Sequence, residues 1–149
     1  KPVSAPTLGK ISLQDSVREL VESINLTGRL EIIYLPKSLA GCNISEDIHL
    51  AIYRIVQESL NNIIKYSEAQ LVCIEIGRKD TEIYLKISDN GKGFDTAAKR
   101  AGIGITNMRT RAENLNGTFS LKSKPGKGCE IEILFPCHSC INQEDCTVH

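Results

Sequence analysis

Apolar side chains near the start of the chain recur every three or four residues, which is the spacing of one helix face. These positions are Leu13, Val17, Leu20, Val21 and Ile24. Ser12, followed three residues later by Asp15, is typical of a helix start, because the serine oxygen accepts a free backbone N–H of the first turn. The pattern predicts a first helix over residues 12 to 26.

The longest periodic segment runs from Ser45 to Ser67 and predicts one continuous helix. Its buried stripe should consist of Ile48, Ile52, Ile55, Val56, Ser59 and Ile63. A third, shorter helix is predicted from Ile105, Met108, Ala112 and Leu115. Asn116-Gly117 should end it, since both residue types tolerate the left-handed conformation that closes helices.

Runs rich in β-branched and aromatic residues predict five strands, at residues 29–35, 71–77, 82–88, 118–123 and 129–135. Pro36 should end the first strand, and residues 78–81 and 124–128 should turn two hairpins. Residues 91–104 are glycine-rich and aperiodic, so we expect a mobile segment there. The order of elements predicts an α+β fold, a two-layer sandwich with about three helices on one face of a mixed, mainly antiparallel sheet.

The chain has 149 residues, the size of one domain, with Lys+Arg 18 balancing Asp+Glu 18. This balance disfavours binding to nucleic acid or to an anionic membrane. No apolar run approaches the roughly 20 residues that span a bilayer. The chain starts at Lys1 and lacks an initiator Met, so we expect a piece of a longer protein, with any membrane segment of that parent outside this piece.

Six scattered cysteines are more typical of reduced thiols in the cytoplasm than of a disulfide scaffold. Residues 1–136 are expected to form the domain, and residues 137–149 a disordered cysteine-rich tail. The tail carries a possible zinc ligand set, Cys137, Cys140, Cys146 and His149. Its short spacing and the lack of a surrounding core disfavour a metal site.

The predicted long helix carries a polar stripe opposite its apolar one: Arg54, Glu58, Asn61, Asn62 and Lys65. A carboxylate, a carboxamide oxygen and a lysine on one face suit Mg²⁺ and the phosphates that it bridges. A solvated helix face explains the same stripe and, taken alone, is the commoner case. Two successive asparagines in mid-helix favour a use other than helicity, because asparagine is a mediocre helix former.

The glycines match no common phosphate loop, since the chain has neither GxxxxGK[ST] nor a GxGxxG after a strand. Gly102-Ile103-Gly104 leads into a predicted helix, whose free N–H groups could face an anion. Asp89-x-Gly91-x-Gly93 is either a turn or a site. A carboxylate there would accept the N6 amino proton of adenine and repel the O6 acceptor of guanine.

These segments together resemble the histidine kinase catalytic and ATP-binding domain of the gyrase/Hsp90/histidine kinase/MutL superfamily. "YRIVQESLNNIIKYSEA" resembles its N-box, "DNGKGFD" its first glycine box, and "GIGITNMRTRAENLNGTFSLKSKPGKGCEIEILFP" its second box and closing hairpin. The similarity extends back through "SLQDSVRELVESIN" and covers about residues 10 to 136. Within this superfamily, the sequence resembles the subfamily of sensor kinases related to nitrate-sensing and LiaS-type kinases.

The resemblance implies a Bergerat-type sandwich that binds Mg²⁺·ATP between helices and sheet, under a lid from Asn90 to Gly102. Asp89 would hold adenine, Asn62 would ligate Mg²⁺, and Lys65 and Tyr66 would approach the phosphates. Glu58 would be a polar supporting residue or an assisting base. The remaining pocket and lid positions would be Gly91, Gly93, Gly102, Ile103, Gly104, Met108 and Cys129.

Two positions depart from the family pattern. Tyr66 stands where this subfamily usually has histidine, so a phosphate contact would come from a neutral phenol. Cys129 stands where threonine usually helps to hold a water on adenine, and a thiol is a weaker donor.

The implied function is that of the catalytic domain of a two-component sensor kinase. It would pass the γ-phosphoryl of ATP to a histidine on a separate dimerisation domain, for relay to a response regulator. His49, His138 and His149 do not lie in such a dimerisation hairpin, and His49 is expected at the surface or its boundary. Two alternatives remain: a regulatory module without turnover, and an ATPase or anti-sigma-type serine kinase of the same superfamily.

Overall fold

The computed structural model describes residues 11–93 and 102–137. Within them, the helices are α1 (Leu13–Asn25), α2 (Glu46–Asn62) and α3 (Gly102–Glu113), and a π-helical turn (Ile63–Ser67) continues α2. The strands are β1 (Glu31–Pro36), β2 (Leu71–Lys79), β3 (Glu82–Asp89), β4 (Thr118–Ser123) and β5 (Cys129–Pro136). No helix in these two ranges is long and apolar enough to cross a membrane.

The strands form one sheet in the order β1-β2-β3-β5-β4. β1 and β2 are parallel, with α2 in the connection between them, and the other neighbours are antiparallel. The predicted α+β fold with a mixed, mainly antiparallel sheet is therefore confirmed.

Alternation along the strands gives the sheet one buried face. Ile74, Leu85 and Ile133 are fully buried, whereas their chain neighbours Glu75 and Lys86 on the other face are only partly covered. The helices cover the buried face with the predicted apolar stripes of α1 and α2. Their buried members include Leu13, Val17, Val21, Ile52, Ile55 and Val56.

The predicted helix ends are present as capping contacts. Ser12 Oγ accepts the Asp15 N–H at 3.1 Å, as a helix N-cap does. At the other end of the fold, Asn116 is left-handed, with φ 63°, and Gly117 N–H donates to Ala112 O at 2.8 Å. The expectation that Asn116-Gly117 ends the third helix is confirmed.

Three predicted boundaries are wrong. α2 does not continue as an α-helix to Ser67 but widens into the π-helical turn after Asn62. α3 begins at Gly102 rather than near Ile105, so the two glycines belong to its first turn. The β2–β3 turn shrinks to Asp80-Thr81, because Asp80 adopts a left-handed φ of 55° that lets both strands extend.

His49 is buried at 6% exposure, so the prediction of a surface or boundary position is also wrong. Its Nε2 lies 3.0 Å from Ser16 Oγ, which joins α2 to α1. Ser16 donates its own proton to Leu13 O at 2.8 Å. Nε2 must therefore carry the ring proton that Ser16 accepts, and burial lowers the pKa of the imidazole.

The described cysteines differ in their oxidation state. Cys42, Cys73 and Cys129 are free, as expected for reduced thiols. Cys137 is disulfide-bonded, which contradicts that expectation at this position. The rest of the predicted tail, including Cys140, Cys146 and His149, lies outside the described residues.

We predict that acid destabilises the fold through His49. Because its pKa is lower when folded, the unfolded chain gains the proton first, and stability is lost as pH falls below the ordinary histidine pKa of about 6.5. Urea unfolding between pH 7.5 and 5.5 should show a steeper loss in wild type than in His49→Gln, which keeps an N–H donor but does not titrate. If the free energies of unfolding of wild type and His49→Gln fell in parallel with pH, the assigned role of His49 would be wrong.

Candidate functional site

Asp89 is the last residue of β3 and lies on the helix-covered face of the sheet. The register aligns it with Val72 on β2 and with Cys129 on β5, and Cys129 in turn pairs with Ser123 on β4. This row continues the buried face beyond the apolar row of Ile87. The fold thus carries a carboxylate to the end of its central strand, next to an otherwise apolar core.

Burial raises the pKa of the Asp89 carboxyl above its ordinary value. The N–H of Gly91 donates to Oδ1 at 2.8 Å and acts in the opposite direction. Among the described residues, no donor reaches the second oxygen, Oδ2. One oxygen is fixed by the turn, and the other has no donor in these parts of the chain.

Cys129 lies beside this carboxylate. Burial first and the negative charge of Asp89 next raise the pKa of the thiol to about 11, although a hydrogen bond with Ser123 acts against them. The thiol is therefore neutral at pH 7 and adds no charge next to Asp89.

A cleft of about 510 Å³ opens at this end of the sheet. It is lined by Ser88, Asp89, Leu121, Lys122, Ser123, Lys124, Lys127, Cys129 and Glu130. This volume is in the range of small-molecule sites, and the acid within it is flanked by cationic side chains on the β4–β5 hairpin.

The segment after Asp89 is held by backbone contacts on both sides. A Cβ on Gly91 would lie 2.4 Å from Ser67 O, in the π-helical turn. Gly93 has a φ of 63°, and a Cβ there would lie 2.2 Å from Lys124 O in the β4–β5 turn. Only glycine permits both approaches, so these two residues set the path of the chain away from Asp89.

Asn62 is the last residue of α2 and lies against the first turn of α3. A Cβ on Gly104 would come within 2.4 Å of Asn62 Nδ2, so the missing side chain leaves the room that the carboxamide occupies. The half-buried Asn62 is thereby placed beside the N-terminal turn of a helix, where free N–H groups and the helix dipole favour anions.

Glu58, one turn earlier, faces α3. Its Oε2 accepts from Asn107 Nδ2 at 3.4 Å, and its Oε1 lies 4.0 Å from Arg111 Nε. Oε1 is buried and has no hydrogen bond within the described parts of the chain. The glutamate therefore joins the two helices.

The other predicted site residues are spread over several environments. Met108 is buried, and its sulfur accepts from Ser59 Oγ at 3.0 Å, so it packs α3 onto α2. Lys65 is exposed and Tyr66 is 66% exposed on the π-helical turn. Arg54 pairs with Gln57 at 3.0 Å.

Some expectations lie outside the described residues, namely the middle of the predicted lid (94–101) and the surroundings of Gly102 and of the Ile103 side chain. Within residues 11–93 and 102–137, no group of three His, Cys, Asp or Glu side chains is placed to hold a metal ion. Of the four tail residues considered as zinc ligands, only Cys137 is among the described residues.

Sequence reasoning missed Asn90 and Ser67. Asn90 Oδ1 accepts the N–H groups of both Gln70 and Leu71 at 3.0 Å. Ser67 O accepts the Lys92 N–H at 2.8 Å. The only sequence signal was an asparagine before glycine, which is equally typical of an ordinary turn.

We predict that Gly104→Ala and Asn62→Ala are strongly coupled. In wild type, the new methyl group should meet Asn62 and lower the free energy of unfolding by about 1–3 kcal/mol. With Asn62→Ala in place, the same change should stabilise the helix by roughly 0.5–1 kcal/mol. Urea unfolding measures both, and an equal effect in the two backgrounds would rule out the contact.

The chain is similar to known proteins in both sequence and fold. A family model described as histidine kinase-, DNA gyrase B- and HSP90-like ATPase matches residues 47–139. The chain is 31% identical, over 95% of its length, to the sensor histidine kinase LiaS of Bacillus subtilis. It is 30% identical, over 90% of its length, to the sensor protein VraS of Staphylococcus aureus. It spans only 40% and 37% of these two relatives.

Among solved structures, the histidine kinase domain of the Erythrobacter litoralis EL346 blue-light activated histidine kinase is similar. It has a TM-score of 0.73 at 15% identity, covering 93% of this chain and 67% of that one, which is a likeness of fold. The family match covers the long helix, the strand that ends at Asp89 and the closing hairpin. The chain therefore belongs to the family of histidine kinase-, DNA gyrase B- and HSP90-like ATPases.

Proposed function

We propose that this chain is the ATP-binding catalytic domain of a sensor histidine kinase. It binds Mg²⁺·ATP and presents the γ-phosphoryl to a histidine on another part of the parent protein. The observation that carries this proposal is the half-buried Asp89 carboxylate, with Oδ1 fixed by Gly91 and Oδ2 free of donors among the described residues.

Adenine fits this acid by its hydrogen-bonding pattern. An ionised carboxylate only accepts, and the adenine N6 amino group donates, whereas guanine presents the O6 acceptor at the equivalent place. The neutral Cys129 thiol beside Asp89 adds no competing charge. The site is therefore suited to adenine and selects against guanine.

The phosphates are assigned to the junction of α2 and α3. Asn62 offers a carboxamide oxygen, which suits Mg²⁺, an ion that prefers oxygen ligands and keeps several of its waters. When bound with ATP, Mg²⁺ neutralises phosphate charge. The exposed Lys65 is close along the chain and supplies a further positive charge, and Tyr66 supplies a hydroxyl group.

The contacts of Glu58 with α3 suit a supporting residue. Its Oε2 accepts from Asn107 Nδ2 at 3.4 Å, and its Oε1 lies 4.0 Å from Arg111 Nε. We assign Glu58 to support of α3. The domain then works by positioning and charge neutralisation, as phosphoryl transfer requires.

The phosphoacceptor is assigned to a different part of the parent protein. His49 is buried and bonded to Ser16, so its ring is unavailable for attack. The relatives named above are called a sensor histidine kinase and a sensor protein, and the chain covers about two fifths of their length. We propose that the parent supplies the accepting histidine on a dimerisation domain and passes the phosphoryl group to a response regulator.

We predict that Asp89→Asn weakens Mg²⁺·ATP binding about tenfold to hundredfold, because a charge-assisted hydrogen bond becomes a poorer one. Wild type should bind GTP clearly more weakly than ATP, and it should not phosphorylate itself. Isothermal titration and incubation with radiolabelled ATP measure these outcomes. Wild-type affinity weaker than millimolar, or equal affinity for ATP and GTP, would contradict the proposal.

The same variant carries its own folding control. Since the pKa of Asp89 is raised in the folded state, its ionised form destabilises the fold once pH rises above that pKa. Asparagine keeps an oxygen for the Gly91 N–H and has no charge to bury. Asp89→Asn should therefore be at least as stable as wild type at pH 7, so a loss of affinity would not reflect unfolding.

A further inference from the structure

Asn90 follows the proposed adenine-binding acid, and its side chain makes hydrogen bonds that none of the comparisons assigns. We propose that Asn90 is a positioning residue, which holds Asp89 in the orientation that distinguishes adenine from guanine. This inference rests on the proposed function of Asp89 and concerns how that acid is kept in place.

The antiparallel pairing of β3 with β2 ends with Asp89 opposite Val72. Beyond it, Asn90 continues the pairing with its side chain. The Asn90 N–H donates to Leu71 O at 3.2 Å, and Asn90 Oδ1 accepts from Leu71 N and Gln70 N, both at 3.0 Å. One side chain thus satisfies two backbone donors at the start of β2.

This clamp acts on Asp89 because the two residues are adjacent in the backbone. The Asp89 carboxylate is oriented by the Gly91 N–H on the far side of Asn90. If Asn90 detached from β2, the backbone between Asp89 and Gly91 would be free to rotate, and the direction of the carboxylate with it. Asn90 itself is exposed, so burial does not explain the presence of asparagine here.

A second contact ties the same loop to the end of the α2 segment. Lys92 N–H donates to Ser67 O at 2.8 Å, and Ser67 Oγ donates to Ile63 O at 3.0 Å. Gly91 packs against Ser67, where a Cβ would not fit. The loop is therefore fixed on one side by β2 and on the other by the turn that follows Asn62.

The chain offers a matched control in Asn25, which forms a similar clamp on β1. Its Oδ1 accepts from Ile32 N at 2.9 Å, and its Nδ2 donates to Ile32 O at 3.3 Å. It lies at the end of α1, outside the proposed site. Asn25→Ala should lower the free energy of unfolding by an amount comparable to Asn90→Ala and should leave the orientation of Asp89 unchanged.

The experiment measures the affinities for Mg²⁺·ATP and Mg²⁺·GTP, and their ratio, in folded variants. Asn90→Ala should weaken ATP binding roughly tenfold and lower the preference for ATP, because two hydrogen bonds that orient the acid are lost. Asn90→Asp keeps the acceptor oxygen and should retain most of the preference. Asn25→Ala should keep the wild-type ratio even where its stability falls.

A double-variant cycle separates positioning from general destabilisation. If Asn90 acts through Asp89, then Asp89→Asn/Asn90→Ala should bind ATP about as weakly as Asp89→Asn alone. Additive losses, or an unchanged ATP/GTP ratio in Asn90→Ala, would overturn the inference. Should Asn90→Ala fail to fold, Asn90→Ser, whose hydroxyl is too short to reach both N–H groups, provides the same comparison.

If wild type prefers ATP to GTP and Asp89→Asn does not, the proposed function stands, whatever the affinities of the Asn90 variants. If wild type binds neither nucleotide, the proposed function itself fails, and that result is distinct from a failure of the Asn90 inference.

Discussion

The close contact between the loop after β3 and the turn after α2 is the constraint on which the candidate site depends. Ser67 O receives the Lys92 N–H at 2.8 Å, and Gly91 lies too near Ser67 to carry a side chain. The π-helical turn from Ile63 to Ser67 brings that carbonyl to the loop. This contact fixes the position of Asp89 on the sheet relative to Asn62 on the helix. In the proposed complex, Asp89 contacts the adenine end of ATP and Asn62 the phosphate end.

The proposed site places function and stability in opposition at one residue. Asp89 occupies a position on the buried face where an apolar side chain would continue the row of Ile87, and burial raises the pKa of its carboxyl. A ligand that donates a hydrogen bond to this oxygen would offset the cost of burying the charge. The neutral Cys129 beside it keeps that cost from rising further.

Much of the fold was predictable because local chemistry determines it. Alternating apolar residues predict the strands, and Ser12 and Asn116 mark helix ends by capping and by left-handed geometry. Several of the wrong predictions have tertiary causes. His49 looked like a boundary residue because its partner, Ser16, is 33 positions away. The first turn of α3, which the sequence did not predict as helix, packs through Gly104 against Asn62, a residue distant in the sequence. The role of Asn90 was not predictable for the same reason, because the N–H groups that donate to its side chain belong to Gln70 and Leu71, at the start of β2.

The most direct measurement of the central claim is amide NMR of the domain titrated with Mn²⁺·ATP and, separately, with Mg²⁺·ATP. The paramagnetic ion broadens signals near the metal, whereas the diamagnetic complex shifts signals near the base. The account predicts the strongest broadening at Asn62 and Gly104, and base-dependent shifts centred on Asp89 and Gly91. Broadening centred on the β4–β5 hairpin, around Lys124 and Lys127, would contradict the proposed placement of the nucleotide.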